Sequence, residues 1–461
     1  MDVRESGVDT SEHQTENAVT RALILAGLSV KWMVGDMLAA LTGSWARRRL
    51  EDNETGPFPA SQQFSDLPAY TSIIKHRAVA DRFNFTDPFY RCHDRSRGSL
   101  TTIDGREYVN FASYDYLGLN GHPDVVAAAK AAIDEHGTSV SASRIVAGER
   151  PLHRQLEAAL AELYETETSV AFVSGHATNV SAISTLLDSD DLILYDELAH
   201  NSLLTGIKLS NAKAFAFRHN DPEHLERLLR TNRRASRNAL VVVEGLYSMD
   251  GDVADLPKLV ELKERYGAWL MVDEAHALGV LGAQGKGLAE HNGIDPKRVD
   301  IWMGTLSKAL AGCGGYICGS HALVEAPKFR ASGQVYSVGM SPPVAAAALA
   351  ALQLMKAEPE RVTRVRANGD AFLHAAKARG LDTVTSQGFA IVPIMVGDII
   401  KAGRMTDRML ARGINVLPII YPAVPLKAAR LRFFITSSHT PEQIQSTVEI
   451  AAEELRRLTA A

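Results

Sequence analysis

The chain runs to 461 residues, 46% hydrophobic and 22% charged, with a formal net charge of -5. That length exceeds one ordinary core and suits two or three fused domains, and the composition is that of a soluble globular protein. The mildly acidic balance offers no bulk attraction to nucleic acid, and no zinc, RNA-binding or helix-turn-helix signature is present, which leaves catalysis on a small molecule as the leading class.

Cys92, Cys313 and Cys318 form no CxxC pair and no disulfide framework, and they read as packing residues in a reducing, cytoplasmic setting. Residues 1–18 are polar and read as a mobile tail. Residues 18–45 form an apolar, helix-compatible run that includes Leu23, Leu28, Trp32, Met33 and Met37. Arg21, Lys31 and Asp36 interrupt it, so it fits neither a membrane-spanning helix nor a cleaved signal peptide. Trp32, Trp45 and Arg47-Arg48-Arg49 suit a helix lying on the inner membrane surface or gripping a partner; packing on the chain's own body or a second copy fits equally. The expected segments are 1–50, the tail and amphipathic helix; 51–100, a proline-marked arm; 101–345, a large domain; and 346–461, a small C-terminal domain.

Residues 98–110 carry an Asp104-Gly105-Arg106 turn between short extended runs, a hairpin signal. Next come Phe111-Ala112-Ser113-Tyr114-Asp115-Tyr116-Leu117-Gly118 and a serine-rich loop, Gly137-Thr138-Ser139-Val140-Ser141-Ala142-Ser143-Arg144, before a helix starting near Leu152. Short apolar strands then break into polar turns. Residues 170–173 lead into Ser174-Gly175-His176-Ala177-Thr178-Asn179, a helix N-terminus whose backbone N–H groups suit a phosphate dianion. Residues 193–195 lead into Asp196-Glu197-Leu198-Ala199-His200-Asn201-Ser202. Residues 240–244 lead into Gly245-Leu246-Tyr247-Ser248-Met249-Asp250-Gly251-Asp252, whose Asp250 and Asp252 read as caps for the helix beginning at Leu256. Residues 268–272 end in Asp273-Glu274-Ala275-His276, and residues 299–303 in Gly304-Thr305-Leu306-Ser307-Lys308. The spacing over 279–286 excludes a nucleotide-binding P-loop. An alanine-rich helix over 344–356 leads to an α+β unit with strands near 389–396 and 430–436.

Strands alternating with helices predict an α/β fold with a mostly parallel central sheet, in which strand ends converge on one crevice. A lysine beside hydroxyls, with a carboxylate one strand away, is what pyridoxal 5'-phosphate (PLP) requires. The lysine holds the aldehyde as an imine, and an aspartate paired with the pyridine nitrogen keeps the ring an electron acceptor. Asp273 and Lys308 fit those two roles.

Val272-Asp273-Glu274-Ala275-His276 and Gly304-Thr305-Leu306-Ser307-Lys308 resemble the α-oxoamine synthase family, and the resemblance runs collinearly over about residues 100–455. It implies the type I fold of PLP-dependent transferases, with the large domain followed by a small C-terminal α+β domain. It also implies that Gly175 and His176 hold the phosphate through their backbones, with Thr305 adding a hydroxyl. His200 would stack on the ring, and Ser248 and His276 would sit near the ring hydroxyl. Arg432 would fix the substrate carboxylate, a task suited to a planar fork of donors, and Tyr114 and Asp115 stand where the family contacts substrate. Ser337 falls in the segment, Gln334 to Pro343, that family members lend to the neighbouring subunit's phosphate, which implies a homodimer with shared active sites.

The implied reaction joins an amino acid to an acyl thioester with loss of CO2, giving an α-amino ketone. Lys308, freed by the incoming amino acid, would remove the Cα proton. The Ser113-Tyr114 start and Thr305-Leu306-Ser307-Lys308 resemble serine palmitoyltransferases, so L-serine with a long-chain acyl thioester, on CoA or an acyl carrier protein, is the leading expectation. Glycine with a short acyl-CoA is the alternative, favoured by Tyr421-Pro422-Ala423-Val424-Pro425, and 8-amino-7-oxononanoate synthesis is a further member of the family. An aminotransferase is a more distant reading, and a non-catalytic partner subunit is disfavoured because Lys308 and Asp273 are both present.

Overall fold

A computed structural model describes residues 63–460. The expected tail, the amphipathic run over 18–45 and the first part of the arm lie outside the described residues. The chain divides into two compact units, residues 1–75 and 76–461. In the first, the described part holds a short turn, Phe64–Asp66, and the start of α1, Pro68–Arg82. No described helix is long and apolar enough to cross a membrane.

The second unit is built on three sheets. Strands β1 (Arg95–Arg97), β2 (Leu100–Ile103) and β3 (Arg106–Asn110) form the predicted hairpin and its neighbour. Asp104 and Gly105, with φ of 51° and 74°, adopt the left-handed backbone that a two-residue hairpin turn needs. These strands share their sheet with a later one, the two residues Ile414–Asn415, which runs parallel to β3.

The large sheet holds β4 (Thr168–Phe172), β5 (Leu192–Asp196), β6 (Lys213–Phe217), β7 (Ala239–Glu244), β8 (Trp269–Asp273), β9 (Ile301–Thr305) and β10 (Gly315–Gly319), in the order β4-β10-β9-β8-β7-β5-β6. β10 is antiparallel to both of its neighbours; the other six run one way. Strands this apolar are stable only when covered on both faces. In β7 the alternation sorts the side chains: Val241 and Val243 join the larger core, while Leu240 and Val242 join a second core on the opposite face. Helices α2 (Gly175–Leu186) and α3 (Asn201–Ser210) supply Ala182, Ile183, Leu203 and Ile207 to that second face.

The consequence of one shared direction is that β4, β5, β7, β8 and β9 all end at the same edge. The segments carrying Gly175, His200, Ser248, His276 and Lys308 therefore start side by side. β11 (Ile391–Gly397), β12 (Ile414–Asn415), β13 (Leu417–Ile419) and β14 (Ala429–Phe434) complete the strands; β11, β14 and β13 form the third sheet, antiparallel throughout, with its own core around Phe372, Phe433 and Val392.

Two expectations are corrected. The helix Leu256–Tyr266 is capped by Asp255, which accepts the Lys258 N–H, and not by Asp250 or Asp252. Asp250 instead forms a buried ion pair with Arg430, and Asp252 accepts from His219. Of the three cysteines, only Cys318 is a packing residue; Cys92 and Cys313 are exposed.

His219 lies between two carboxylates, with Nδ1 2.9 Å from Asp196 and Nε2 2.7 Å from Asp252, its ring edge-on to Tyr247. Burial alone would favour the neutral ring, but the paired acids push its pKa up to about 10. Because the folded value lies above the unfolded 6.5, the stability it contributes is complete below about pH 6.5 and is lost as pH rises toward 10. The thermal midpoint is expected to fall across that window, and His219→Gln is expected to lower the midpoint at neutral pH while flattening its decline; equal slopes in both proteins would contradict the clamp.

Candidate active site

Asp273 ends β8 as a residue only 4% exposed, its carboxylate accepting N–H groups on both oxygens: Asn179 Nδ2 at 2.8 Å and the Ala275 amide at 2.9 Å. It shares parity with Met271 and so faces the α2 and α3 side of the sheet. Asn179, one turn into α2, donates from the same nitrogen to Ser202 Oγ at 2.9 Å, and that hydroxyl lies 2.7 Å from His200 Nδ1. His200 Nδ1 also accepts the Ser202 backbone N–H, which can only donate. Nδ1 is therefore an acceptor, and the ring carries its proton on Nε2. Burial of the ring first, and then the proximity of Lys308, His176 and Arg432, lower its pKa against the pull of Asp273, and the imidazole stays neutral. A continuous relay thus ties the aspartate to the histidine expected on the ring.

His276 follows the same strand end, buried and 2.6 Å from the Tyr116 hydroxyl through Nδ1. Tyr116 is fully buried, so its phenolic proton needs an acceptor; donation to Nδ1 leaves the His276 proton on Nε2. Burial first, then Lys308, Arg432 and His200, hold His276 well below the ordinary histidine range. Its ring lies parallel to that of Phe434, with centroids 6.2 Å apart.

Lys308 follows β9. Burial outweighs the attraction of Asp273 and brings its amine down to about 8. The Tyr114 ring, half-open to solvent and edge-on to Phe434 at 5.1 Å, lies 5.9 Å from Lys308 Nζ. Arg432, on β14, stacks on Phe434 at 4.5 Å and donates to the Ser248 carbonyl at 2.8 Å, while its buried Nε has no partner. Ser248 is itself buried and donates its backbone N–H to Glu244 Oε2.

At the other end of the crevice, α2 begins at Gly175 with Ser174 as its cap. The N–H groups of a first turn lack intrahelical acceptors and favour an anion. A Cβ on Gly175 would meet Thr305 Oγ1 at 2.9 Å, so glycine lets the helix end close on that hydroxyl. Thr305 Oγ1 donates to the Gly314 carbonyl. His176 is exposed beside it.

One of the expected site residues, Asp115, is placed elsewhere. The Asp115 oxygens accept the Leu119 and Asn120 amides at 2.9 and 3.2 Å, so its carboxylate builds a buried turn and does not face the crevice as a free acceptor. Ser337, expected to act on the neighbouring subunit, lies on a loop between exposed Tyr336 and Val338, its hydroxyl donating to the Val338 carbonyl. Asn179, Ser202, Tyr116 and Glu244 were given no role from sequence, although each stands within a strand-end segment that was singled out.

These residues fit PLP. The unpartnered Arg432 Nε, the tight junction of Gly175 with Thr305, and the two-donor cradle of Asp273 are what its carboxylate-bearing substrate, its phosphate and its pyridine nitrogen would respectively satisfy.

The aminotransferase class I and II family model matches residues 106–450. An 8-amino-7-oxononanoate synthase of Beijerinckia indica is 42% identical over 359 residues, covering 78% of this chain and 91% of that protein. Among solved structures, a serine palmitoyltransferase from S. paucimobilis with PLP and myriocin bound superposes with a TM-score of 0.83 at 29% identity, covering 87% of this chain and all of that one. An 8-amino-7-oxononanoate synthase from Francisella tularensis gives 0.66 at 28% identity, covering 76% and 98%. The chain belongs to the aminotransferase class I and II family, in its α-oxoamine synthase branch. It is a PLP-dependent acyltransferase of fold type I.

In the cofactor-free chain, labelling of Lys308 by an amine-directed reagent is expected to rise with pH through a midpoint near 8. A midpoint at the ordinary lysine value of 10.5 would show that burial does not depress the amine.

Proposed function

We propose that the chain makes an α-amino ketone of the 8-amino-7-oxononanoate kind. That product's name sets its chemistry: the amine-bearing carbon and its methyl group are what remains of alanine after CO2 leaves, and the ketone with its chain derives from an acyl thioester ending in a carboxylate. One C–C bond forms between the amino-acid Cα and the thioester carbonyl carbon, the C–S bond and the Cα–carboxylate bond break, and thiol and CO2 are released. The observation that carries this reading is the 42% identity across nine-tenths of a relative of that name.

Bound PLP supplies an aldehyde that links to amines and a ring that takes up the electron pair left when a bond to Cα breaks. The chain's own residues would do the rest. Arg432, stacked and held by Ser248, would meet the amino-acid carboxylate with its free Nε; its burial makes an unpaired charge unfavourable, which an incoming carboxylate relieves. Lys308, with its lowered pKa, would spend part of its time neutral near pH 7 and so could take the Cα proton. His200, neutral and tied through Ser202 and Asn179, would hold one face of the ring, and His276 would present its Nε2 proton to an oxygen beside it. Asp273 would pair with the ring nitrogen, and Gly175, His176 and Thr305 would hold the phosphate.

A homodimer is part of this proposal, with Ser337 of one subunit serving its neighbour; Val146 and Tyr336, 80% and 87% exposed near that loop, support a covered face. The division into a large domain over 101–345 and a small one beyond it is proposed on the same footing. The second reading, L-serine with a long-chain acyl thioester, rests on the higher TM-score to a serine palmitoyltransferase.

Thiol and CO2 release should be measured across alanine, serine and glycine with carboxyl-ended, short and long-chain acyl thioesters on CoA or carrier protein. Alanine with a carboxyl-ended acyl group is expected to give the highest kcat/KM; preference for serine with a long chain would establish the second reading instead. Lys308→Ala is expected to lose activity by at least about 10³-fold, and Arg432→Leu to raise the KM for the amino acid by more than about tenfold while a smaller change falls on the thioester.

A further inference from the structure

Glu244 ends β7 directly opposite Asp273 on β8. Both face the α2 and α3 side of the sheet, since Glu244 shares parity with Leu240 and Val242. Glu244 is only 3% exposed. Its Oε2 accepts the Ser248 amide at 3.3 Å, and its Oε1 is buried with no hydrogen-bond partner. Among the described residues no ion pair reaches it. Two adjacent buried carboxylates cannot both ionise unless cations or several N–H donors compensate them. Asp273 has two short N–H bonds and Glu244 one long one, so the proton belongs on Glu244.

We propose that Glu244 serves this site as a neutral carboxylic acid, a positioning residue that anchors the Ser248 segment beside Asp273 without adding a second anion there. The groups that face it are Asp273, Lys308, Arg432 and Tyr247, with the His200 backbone also in reach. Burial and then the Asp273 charge push its carboxyl up to about 8. The consequence falls on Lys308: an ionised Glu244 would stabilise the protonated amine, whereas a neutral one leaves Asp273 as the main anion acting on it. The inference rests on the PLP class of the enzyme and holds whichever amino acid it uses.

The test is infrared spectroscopy of the cofactor-free chain at about pH 7, where a protonated carboxyl has a carbonyl stretch that carboxylates lack. Glu274, a second buried acid also pushed up to about 8, has to be separated from it. The wild-type minus Glu244→Gln difference spectrum is expected to show the protonated band, lost on alkaline titration; a difference containing only carboxylate bands overturns the proposal. Should Glu244→Gln fail to fold, Glu274→Gln protein isotopically labelled only in its glutamate carboxyls takes its place, which separates glutamate from the buried Asp115: a protonated glutamate band retained at neutral pH supports the assignment, and its absence overturns it. In parallel, the fraction of Lys308 reactive toward an acylating reagent at that pH is expected to change less than about twofold in Glu244→Gln. A rise approaching tenfold, one pKa unit, would mean Glu244 is charged in the wild type.

Discussion

The constraint on which the site depends is the burial of the Asp273 carboxylate at the end of a fully apolar strand. An acid in that position is tolerated only with donors on both oxygens. One comes from its own turn, the Ala275 amide, and the other from Asn179 on α2. That second bond brings the helix whose N-terminus faces Thr305 into register with the strand end, and the same amide reaches Ser202 and through it His200. Asp273, the turn at Gly175 and His200 are therefore placed by one short network on one face of the sheet.

The opposite wall of the crevice comes from the small antiparallel sheet and the segment after the hairpin. Phe434, Tyr114 and Tyr116, with Arg432 stacked on Phe434, line His276 and Lys308 with aromatic surface. This low-dielectric lining explains why the cationic and imidazole groups shift in the same direction, toward their neutral forms. Such a lining suits chemistry that needs a free amine and neutral rings near neutral pH. Arg430, two residues before Arg432, is locked to Asp250 in the loop after β7, so the arginine-bearing strand and the Ser248 segment are held together by an ion pair as well as by the Arg432 to Ser248 bond.

Much of this was legible in the sequence because it is local. The apolar strands, the small-residue turns after them, the Asp104-Gly105 hairpin and the pairing of Asp273 with Lys308 all depend on residues close in the chain or on successive strand ends. The relay through Asn179 and Ser202 was not legible, because it joins side chains about 20 and 90 residues apart that only the packed helices bring together. Asp250 and Asp252 look like helix caps until the fold shows that they face Arg430 and His219 and that Asp255 caps the helix instead. Asp115 looks like a substrate contact until its turn claims both oxygens. The preference for serine and a long acyl chain rests on a few motif residues, whereas identity over 78% of the chain leans to an 8-amino-7-oxononanoate synthase; substrate choice depends on a handful of crevice contacts that strand-end motifs do not encode.

The central proposal is that Lys308, just beyond the strand that pairs with the Asp273 strand, is the amine that carries the cofactor. Borohydride reduction of the cofactor-loaded enzyme, followed by proteolysis and mass mapping, tests it most directly. The account predicts one pyridoxyl-modified peptide with the added mass on Lys308; modification of another lysine, or none at all, would contradict it.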